Sequence, residues 1–389
     1  VIHAIDSTLN FILWNWNRDL FSIGAFALRW NVLMVILAYV VSRGILVYMY
    51  KKEGRPVRDA VVLLTCLIIA ALIGARLGYV TLYERDLITS SPAEIFLPFK
   101  FQPKFSFAGS EGLSIAGGFI GVLLGVWLYC RINRQSFLPI MDRVSIMALV
   151  TASLLFCGSF LNNEPVGRPT NSASGTVFAN PVTRGVSKIP CCIMRNPGGK
   201  NPLKFARAIK DQNTSVAYDS AGHQALVLYL FFSSGATEQS VNEFLIGDVK
   251  TFLFDMSEFV YEPGDEPLHY TIFVERDGHY AARVRTIGIA RYPVQIFEAA
   301  FCAVVFIFVV GYWRKHHASL PPGRFFCASM VIFWTSRFAF AFMKEPEVYS
   351  EPVLGLSPDQ ILSIVFVIVS VWLWIRLARN KKGEAASGN

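Results

Sequence analysis

Apolar residues along this chain fall into blocks of roughly 20, the length a helix needs to cross about 30 Å of hydrocarbon. The blocks run at 25–50, 60–83, 115–130, 139–162, 292–313, 325–343 and 359–377, and they predict seven membrane-spanning helices. The third is short and opens with Gly117-Gly118, which predicts an irregular or re-entrant outer end. Residues 1–22 are amphipathic, and Trp14 and Trp16 predict a segment lying along the membrane interface. They lack a basic stretch, apolar core and small-residue cleavage site in succession, so they are not read as a signal peptide. Between blocks four and five, residues 163–291 are polar, with helix-like runs near 203–211 and 236–246. Strand-like runs follow at 226–232, 268–275 and 280–289, the last two joined through Asp277-Gly278, a dipeptide suited to a tight hairpin turn.

The predicted fold is therefore an all-α polytopic membrane protein with seven transmembrane helices and a small extracytoplasmic α+β domain inserted between spans four and five. Its divisions are an interfacial segment (1–22), spans one to four (23–162), the inserted domain (163–291), spans five to seven (292–378) and a tail (379–389). Orientation follows from the basic residues of the short loops. With the N-terminus outside, the inner loops hold fourteen Lys and Arg residues and the outer segments five. That bias predicts an inner-membrane protein with its C-terminus in the cytoplasm and residues 163–291 outside.

Composition agrees: 53% of residues are hydrophobic, 16% are charged and the mean hydropathy is +0.43, against about a quarter charged in soluble domains. Disorder, collagen, a disulfide scaffold and a long coiled coil are excluded. The net charge of +8 resides in loops beside apolar blocks and not on one polar face, so no nucleic-acid partner is expected. Five of the seven cysteines lie in or at the ends of apolar segments and read as small hydrophobes. Cys191 and Cys192 adjoin in the polar region, with no CxxC spacing for a metal. No metal and no cofactor is predicted.

Ionisable groups inside spans are costly and usually paired or functional. Arg29 and Arg76 sit in or near spans one and two, Glu298 in the first turns of span five, and Arg337 in the middle of span six. Asn162-Asn163-Glu164 closes span four and leads to Gly167-Arg168-Pro169-Thr170. Arginines converging with carboxylates suit a phosphate-bearing ligand, because guanidinium matches phosphate oxygens bidentately. The competing reading for each is a structural Arg–Glu pair fixing helix packing. No histidine lies inside a span, and His316-His317 reads as a solvated basic loop.

The order of several short motifs resembles one family. Phe21-Ser22-Ile23-Gly24 leads to Leu28-Arg29-Trp30, and Gly74-Ala75-Arg76-Leu77-Gly78-Tyr79 lies in span two. Gly117-Gly118-Phe119-Ile120-Gly121 opens span three, and Asn162 to Thr170 follows span four. Arg291-Tyr292-Pro293-Val294-Gln295 with Glu298, then Ser336-Arg337-Phe338, then Leu356-Ser357-Pro358-Asp359-Gln360 complete the series. In this order and on this topology the chain resembles the bacterial prolipoprotein diacylglyceryl transferases over nearly all its spans. The resemblance implies transfer of a diacylglyceryl group from phosphatidylglycerol to the lipobox cysteine of a preprolipoprotein, releasing glycerol phosphate.

The chemistry needs a cation for the phosphate leaving group and a base for the thiol. Family positions are altered where these should lie. A histidine before the Gly-Gly of span three is Ala116, an arginine and an asparagine of span four are Phe156 and Ser159, and a span-one tyrosine is Asn31. In span six a tyrosine is Phe333 and an acidic residue is Ala341. Arg76, Tyr79, Glu164, Gly167, Arg168, Gln295, Glu298 and Arg337 are retained. Losing a phosphate-directed donor costs roughly 10²–10³ in rate and losing a general base about 10²–10⁴. The leading expectation is a catalytically degenerate relative that binds phospholipid, phosphatidylglycerol by resemblance, with Arg76, Arg168, Arg337, Gly167 and Gln295 as binding residues. A lipoprotein or envelope protein is expected to engage residues 163–291. The alternative is an active divergent transferase using Arg76, Arg168 and Arg337 for the phosphate and Glu164 or Glu298 as base. A transporter or channel lacks support, since no inverted repeat is visible.

Overall fold

The computed structural model describes residues 11–23, 26–85, 87, 99–100, 106–107, 114–189, 201–211, 222–345 and 355–387. Cys191, Cys192 and the Pro-Gly-Gly-Lys run at 197–200 lie outside them. The chain forms two compact units. The first comprises Val1–Ile36, Ser153–Phe301 and Thr335–Ser363; the second comprises Leu37–Ala152, Cys302–Trp334 and Ile364–Asn389.

The first unit begins with strands β1 (Ile12–Trp14), β2 (Asp19–Ile23) and β3 (Phe26–Arg29). β2 and β3 form an antiparallel hairpin, and β1 adds in parallel to β6 (Thr176–Phe178). The N-terminal segment read as an interfacial amphipathic stretch is thus partly a sheet strand. Its Trp14 ring packs at 4.8 Å on Phe160 and at 6.1 Å on Trp16, so these indoles meet aromatic partners within the unit.

The sheet runs in the order β1-β6-β11-β8-β7, with β7 (Leu203–Lys210), β8 (His223–Phe232) and β11 (Tyr280–Arg291) as its long strands. β9 (Val260–Tyr261) and β10 (His269–Val274) also pair with β11, while β4 (Phe99–Lys100) and β5 (Ser106–Phe107), in the second unit, pair antiparallel with each other. Alternate residues of β8, Leu226, Leu228, Leu230 and Phe232, are fully buried. They pack with Val241, Phe244, Leu245, Val249 and Leu253 of the helical run 238–255, burying apolar area at about 25 cal/mol per Å². The hairpin expected at 268–289 is β10–β11. The run near 203–211, expected to be helix-like, is strand β7 and Asp211. Pairing along β8 overrides the local propensity there. The molecule is therefore not all-α: its inserted region carries a substantial mixed sheet.

The long helices follow the apolar blocks, and short ones lie within the inserted segment. They are α1 (Trp30–Lys52), α2 (Val57–Tyr83), α3 (Ile115–Ile132), α4 (Phe137–Leu161), α5 (Asn180–Val186), α6 (Glu238–Phe244), α7 (Lys250–Asp255), α8 (Val294–His316), α9 (Arg324–Ala341) and α10 (Pro358–Ser387). Among the described residues, five stretches are long and apolar enough to cross a membrane: Trp30–Lys52, Val57–Thr81, Phe137–Leu161, Val294–His316 and Asp359–Arg379. This is a polytopic membrane protein. α3 and α9 are not among the five; at 18 residues each they rise only about 27 Å.

Inside the second unit, α2 and α3 meet on a stripe of glycines. A Cβ on Gly74 would lie 2.5 Å from the Gly117 carbonyl oxygen, and one on Gly121 would lie 2.2 Å from that of Ala70. Ser114 caps α3 by accepting from the Gly117 N–H at 3.2 Å, and its own N–H donates to Ala75 at 2.9 Å. Gly117-Gly118, expected to mark an irregular end, is regular helix; the glycines serve close helix approach. At the other end of these helices Arg143 donates to both oxygens of Glu53, and Asp142 accepts the Gly323 and Phe326 N–H groups at 2.7 and 2.8 Å, capping α9. His316 ends α8 stacked at 4.3 Å on Tyr312, and His317 follows at 4.8 Å from Trp313; they are not a solvated loop.

Candidate functional site

Arg337 lies in α9 with its side chain only 7% exposed. Its Nη1 donates to Glu298 Oε1 at 2.7 Å and its Nη2 to Asp359 Oδ2 at 2.7 Å. Lys344 Nζ reaches the same Glu298 oxygen at 2.9 Å. α8, α9, the turn after α9 and the first turn of α10 thus each contribute one charge, two positive and two negative. Glu298 is 3% exposed and Asp359 51%, so the network is buried at one end and open at the other. The Arg337 guanidinium also lies 5.7 Å from the Phe156 ring of α4, a cation–π geometry worth about 0.5–2 kcal/mol. Burial first, then the Arg337 charge, hold the Lys344 ammonium below its ordinary pKa, against the opposing pull of Glu298.

α4 ends at Leu161, and Asn163 turns the chain in the left-handed region at φ +61°. Glu164 then folds back on the helix end. Ser159 Oγ donates to its Oε2, Asn162 Nδ2 donates to Oε1 at 2.9 Å, and Gln295 Nε2 donates to its carbonyl at 2.7 Å. Gly167 bridges Lys344, and a Cβ there would lie 2.0 Å from the Tyr292 carbonyl oxygen, so no other residue fits. Arg168 is exposed. Its backbone N–H donates to Met343 and its Nε to the Lys344 carbonyl at 2.8 Å. Arg291, 4% exposed, donates to the Gly167 carbonyl at 3.0 Å, to that of Glu258 at 3.0 Å, and to Glu345. The segment 164–170 is therefore stitched between 291–295 and 343–345.

Within the first unit the structure brings Glu164, Gly167, Arg168, Gln295, Glu298 and Arg337 into one contact chain. Two of the altered positions belong to it: Phe156 lies against Arg337, and Ser159 on Glu164. Asn31 packs where α1 meets Gly158 of α4, whose Cβ would sit 3.1 Å from its Oδ1. Ala341, 7% exposed, closes α9. Arg76, Phe333 and Ala116 belong to the second unit. There Arg76 lies 5.9 Å from the Tyr79 ring, Phe333 packs edge-on to Trp334, and Ala116 occupies the first turn of α3. Trp334 stacks on Phe366 at 4.5 Å, and Phe119 meets both rings edge-on, making an apolar aromatic cluster. Among the described residues no group of three or more His, Cys, Asp or Glu could hold a metal.

Sequence reasoning missed Lys344, Asp359, Arg291 and Glu345 as partners in this network. The available signal was Lys344-Glu345 directly after an apolar block, where a charge pair at a helix end commonly serves neighbouring helices. The direct contact of Arg337 with Glu298 is the packing ion pair weighed against a phosphate role for that arginine.

The family model for prolipoprotein diacylglyceryl transferase matches residues 18–376. Curated relatives include three proteins called phosphatidylglycerol–prolipoprotein diacylglyceryl transferase. The one from Tolumonas auensis is 25% identical over 252 residues, covering 64% of this chain and 83% of that protein. The one from Chloroherpeton thalassium is 30% identical over 173 residues, 44% of this chain and 61% of its own length. The one from Chlorobaculum tepidum is 33% identical over 168 residues, 42% and 57% respectively. For the last two, the aligned part spans about three fifths of the relative. With helices on the expected blocks and the motif residues gathered at the ends of α4, α8 and α9, the chain belongs to the prolipoprotein diacylglyceryl transferase family.

Proposed function

We propose that this protein is a catalytically degenerate family member whose membrane body binds a phospholipid or a lipidated chain. The observation that carries this reading is the state of Arg337. Its two terminal nitrogens are engaged by Glu298 and Asp359, and Phe156 presents a ring to it at a position where the family has an arginine. A phosphate approaching there would have to displace a carboxylate, and the local charge is already balanced. Glu164 likewise accepts a hydrogen bond at each oxygen, from Ser159 and Asn162, and these donors favour its charged form over a protonated one. Within the second unit, the aromatic cluster of Phe119, Trp334 and Phe366 offers apolar surface that suits acyl chains.

In the same reading all seven apolar helices span the inner membrane, α3 and α9 included. The N-terminus and residues 163–291 lie outside and the C-terminus in the cytoplasm, in line with the asymmetry of basic loop residues. The inserted domain is then the surface for an envelope protein. Lipids extracted from protein purified in native nanodiscs test the binding reading: one phospholipid class should be enriched over the surrounding membrane. An unenriched lipid profile counts against it.

A second reading, an active divergent transferase, is favoured by Lys344. This buried ammonium beside Glu298 and Arg337 would supply a cation or, once deprotonated, a base that the sequence pattern does not reveal. Turnover lost in Lys344→Gln would establish that reading in place of the first.

A further inference from the structure

A cleft of about 360 Å³ opens between the start of β2, helix α5 and strand β7, lined among others by Asp19, Asn180, Arg184 and Lys204. It lies in the first unit and involves none of the residues around Arg337. Arg184 Nη2 pairs with Asp19 Oδ2, Arg18 Nε stands 3.9 Å from Oδ1, and Arg29 is the register partner of Asp19 across the β2–β3 hairpin. Three guanidinium groups therefore share one carboxylate, and exposed Lys204 adds a fourth cation to the wall. Asp19 itself is 5% exposed. Its carboxyl is raised by burial, but the hydrogen bond and charge of Arg184, with Arg18 and Arg29, bring it below the usual carboxylate range.

The cations are not satisfied by this single anion. Arg184 Nη1 and Arg18 Nε are enclosed donors with no hydrogen-bond partner among the described residues; the acceptors Asp19 Oδ1 and Asn180 Oδ1 are likewise unpartnered and face an anion only across these donors. Burial, then the nearby charges of Arg29 and Arg184, push the Arg18 pKa down, against Asp19. Like charges crowded in this way are stabilised by an added anion. A tetrahedral phosphate suits the place best, because it carries up to two charges and accepts from several guanidinium donors at once.

We propose that the cleft lined by Arg184 and Lys204, with Arg18 beside its Asp19, is an anion site that takes a phosphate group, either the headgroup of an acidic phospholipid or a free phosphate monoester. It rests on the surplus of cations there and is independent of whether the Arg337 region is catalytic.

The test uses the full chain in nanodiscs of phosphatidylcholine alone or with phosphatidylglycerol, as wild type, Arg184→Gln and Lys204→Gln. Inorganic phosphate and glycerol phosphate are titrated at constant ionic strength in the first disc, and retained lipids are counted by native mass spectrometry in the second. Because Arg184 holds Asp19, its variant is also checked for thermal stability; Lys204 makes no such pair among the described residues and decides the matter if Arg184→Gln misfolds. Saturable binding of phosphate or its monoester, weakened roughly three- to tenfold by Lys204→Gln and more by Arg184→Gln, supports a free phosphate ligand. Enrichment of phosphatidylglycerol that falls in the variants supports a headgroup. Neither saturable binding nor enrichment, or the same values in folded variants as in wild type, overturns the proposal.

Discussion

Gly121→Ala is the smallest change that challenges the packing of α2 on α3. The added Cβ would stand 2.2 Å from the Ala70 carbonyl oxygen and 3.0 Å from the Gly74 Cα. A relaxed carbon–oxygen contact of this kind is about 3.3–3.6 Å, so the helices must part by about 1 Å. The obstacles are backbone atoms, and no rotamer change relieves them. Opening the seam by that amount also loosens Gly74 against Gly117 and Gly78 against Gly117; a gap of 0.5–1 Å forfeits roughly a quarter to a half of each dispersion well. Overpacking usually costs about 1–3 kcal/mol, and this case belongs at the upper end. Gly44→Ala in α1 provides the matched control, since a Cβ there meets nothing within 4 Å. It should be neutral or stabilising by up to about 1 kcal/mol through helix propensity. Thermal melts in detergent, read by a thiol dye that reports exposure of buried Cys130 and Cys327, compare the two. If Gly121→Ala melts with the wild type, the close backbone seam does not exist and the account of the glycine motifs is wrong.

Three further outcomes are expected. Arg337→Ala strips a buried partner from Glu298 while Lys344 keeps its contact, so it should cost about 3 kcal/mol; the double variant with Glu298→Ala should cost less than the sum, as a double-mutant cycle would show. Asp142→Ala removes the acceptor of the Gly323 and Phe326 N–H groups and should lower stability by about 1–2 kcal/mol in the same melts. Asp19 has its folded pKa below the ordinary 3.8, so its contribution is complete above that pH and is lost as pH falls through the folded value. Acid unfolding followed by tryptophan fluorescence should therefore steepen below about pH 4 in wild type and flatten in Asp19→Asn.

The long helices are legible because a membrane span is a local property: each apolar block at 20-residue scale is a helix, although the first starts at Trp30, after β3, and the last runs on to Ser387. The β10–β11 hairpin was legible for a similar reason, its Asp277-Gly278 turn being a short-range signal. What stayed hidden depended on partners distant in sequence. β7 looks helical by composition and is a strand only because β8 offers it a ladder. β1 joins β6, more than 150 residues away, and nothing local in Ile12–Trp14 announces that. Gly117-Gly118 was noticed, but its reason, the Gly74 and Gly78 backbone across the seam, lies on another helix. At the site, Glu298 and Arg337 stood out as expensive charges in apolar segments. Lys344 lies just past an apolar block, where charge is unremarked, and Asp359 opens the last block, where a charge reads as the start of a helix.

The central claim is that the transferase body persists while its phosphate chemistry has been neutralised around Arg337. The most direct measurement incubates the protein in phosphatidylglycerol nanodiscs with a lipobox peptide and detects the diacylglyceryl adduct by mass, beside an Arg337→Ala control checked for folding. The account predicts no adduct above the control, in a preparation that retains bound phospholipid. An adduct formed by wild type and abolished in a folded Arg337→Ala protein would contradict it.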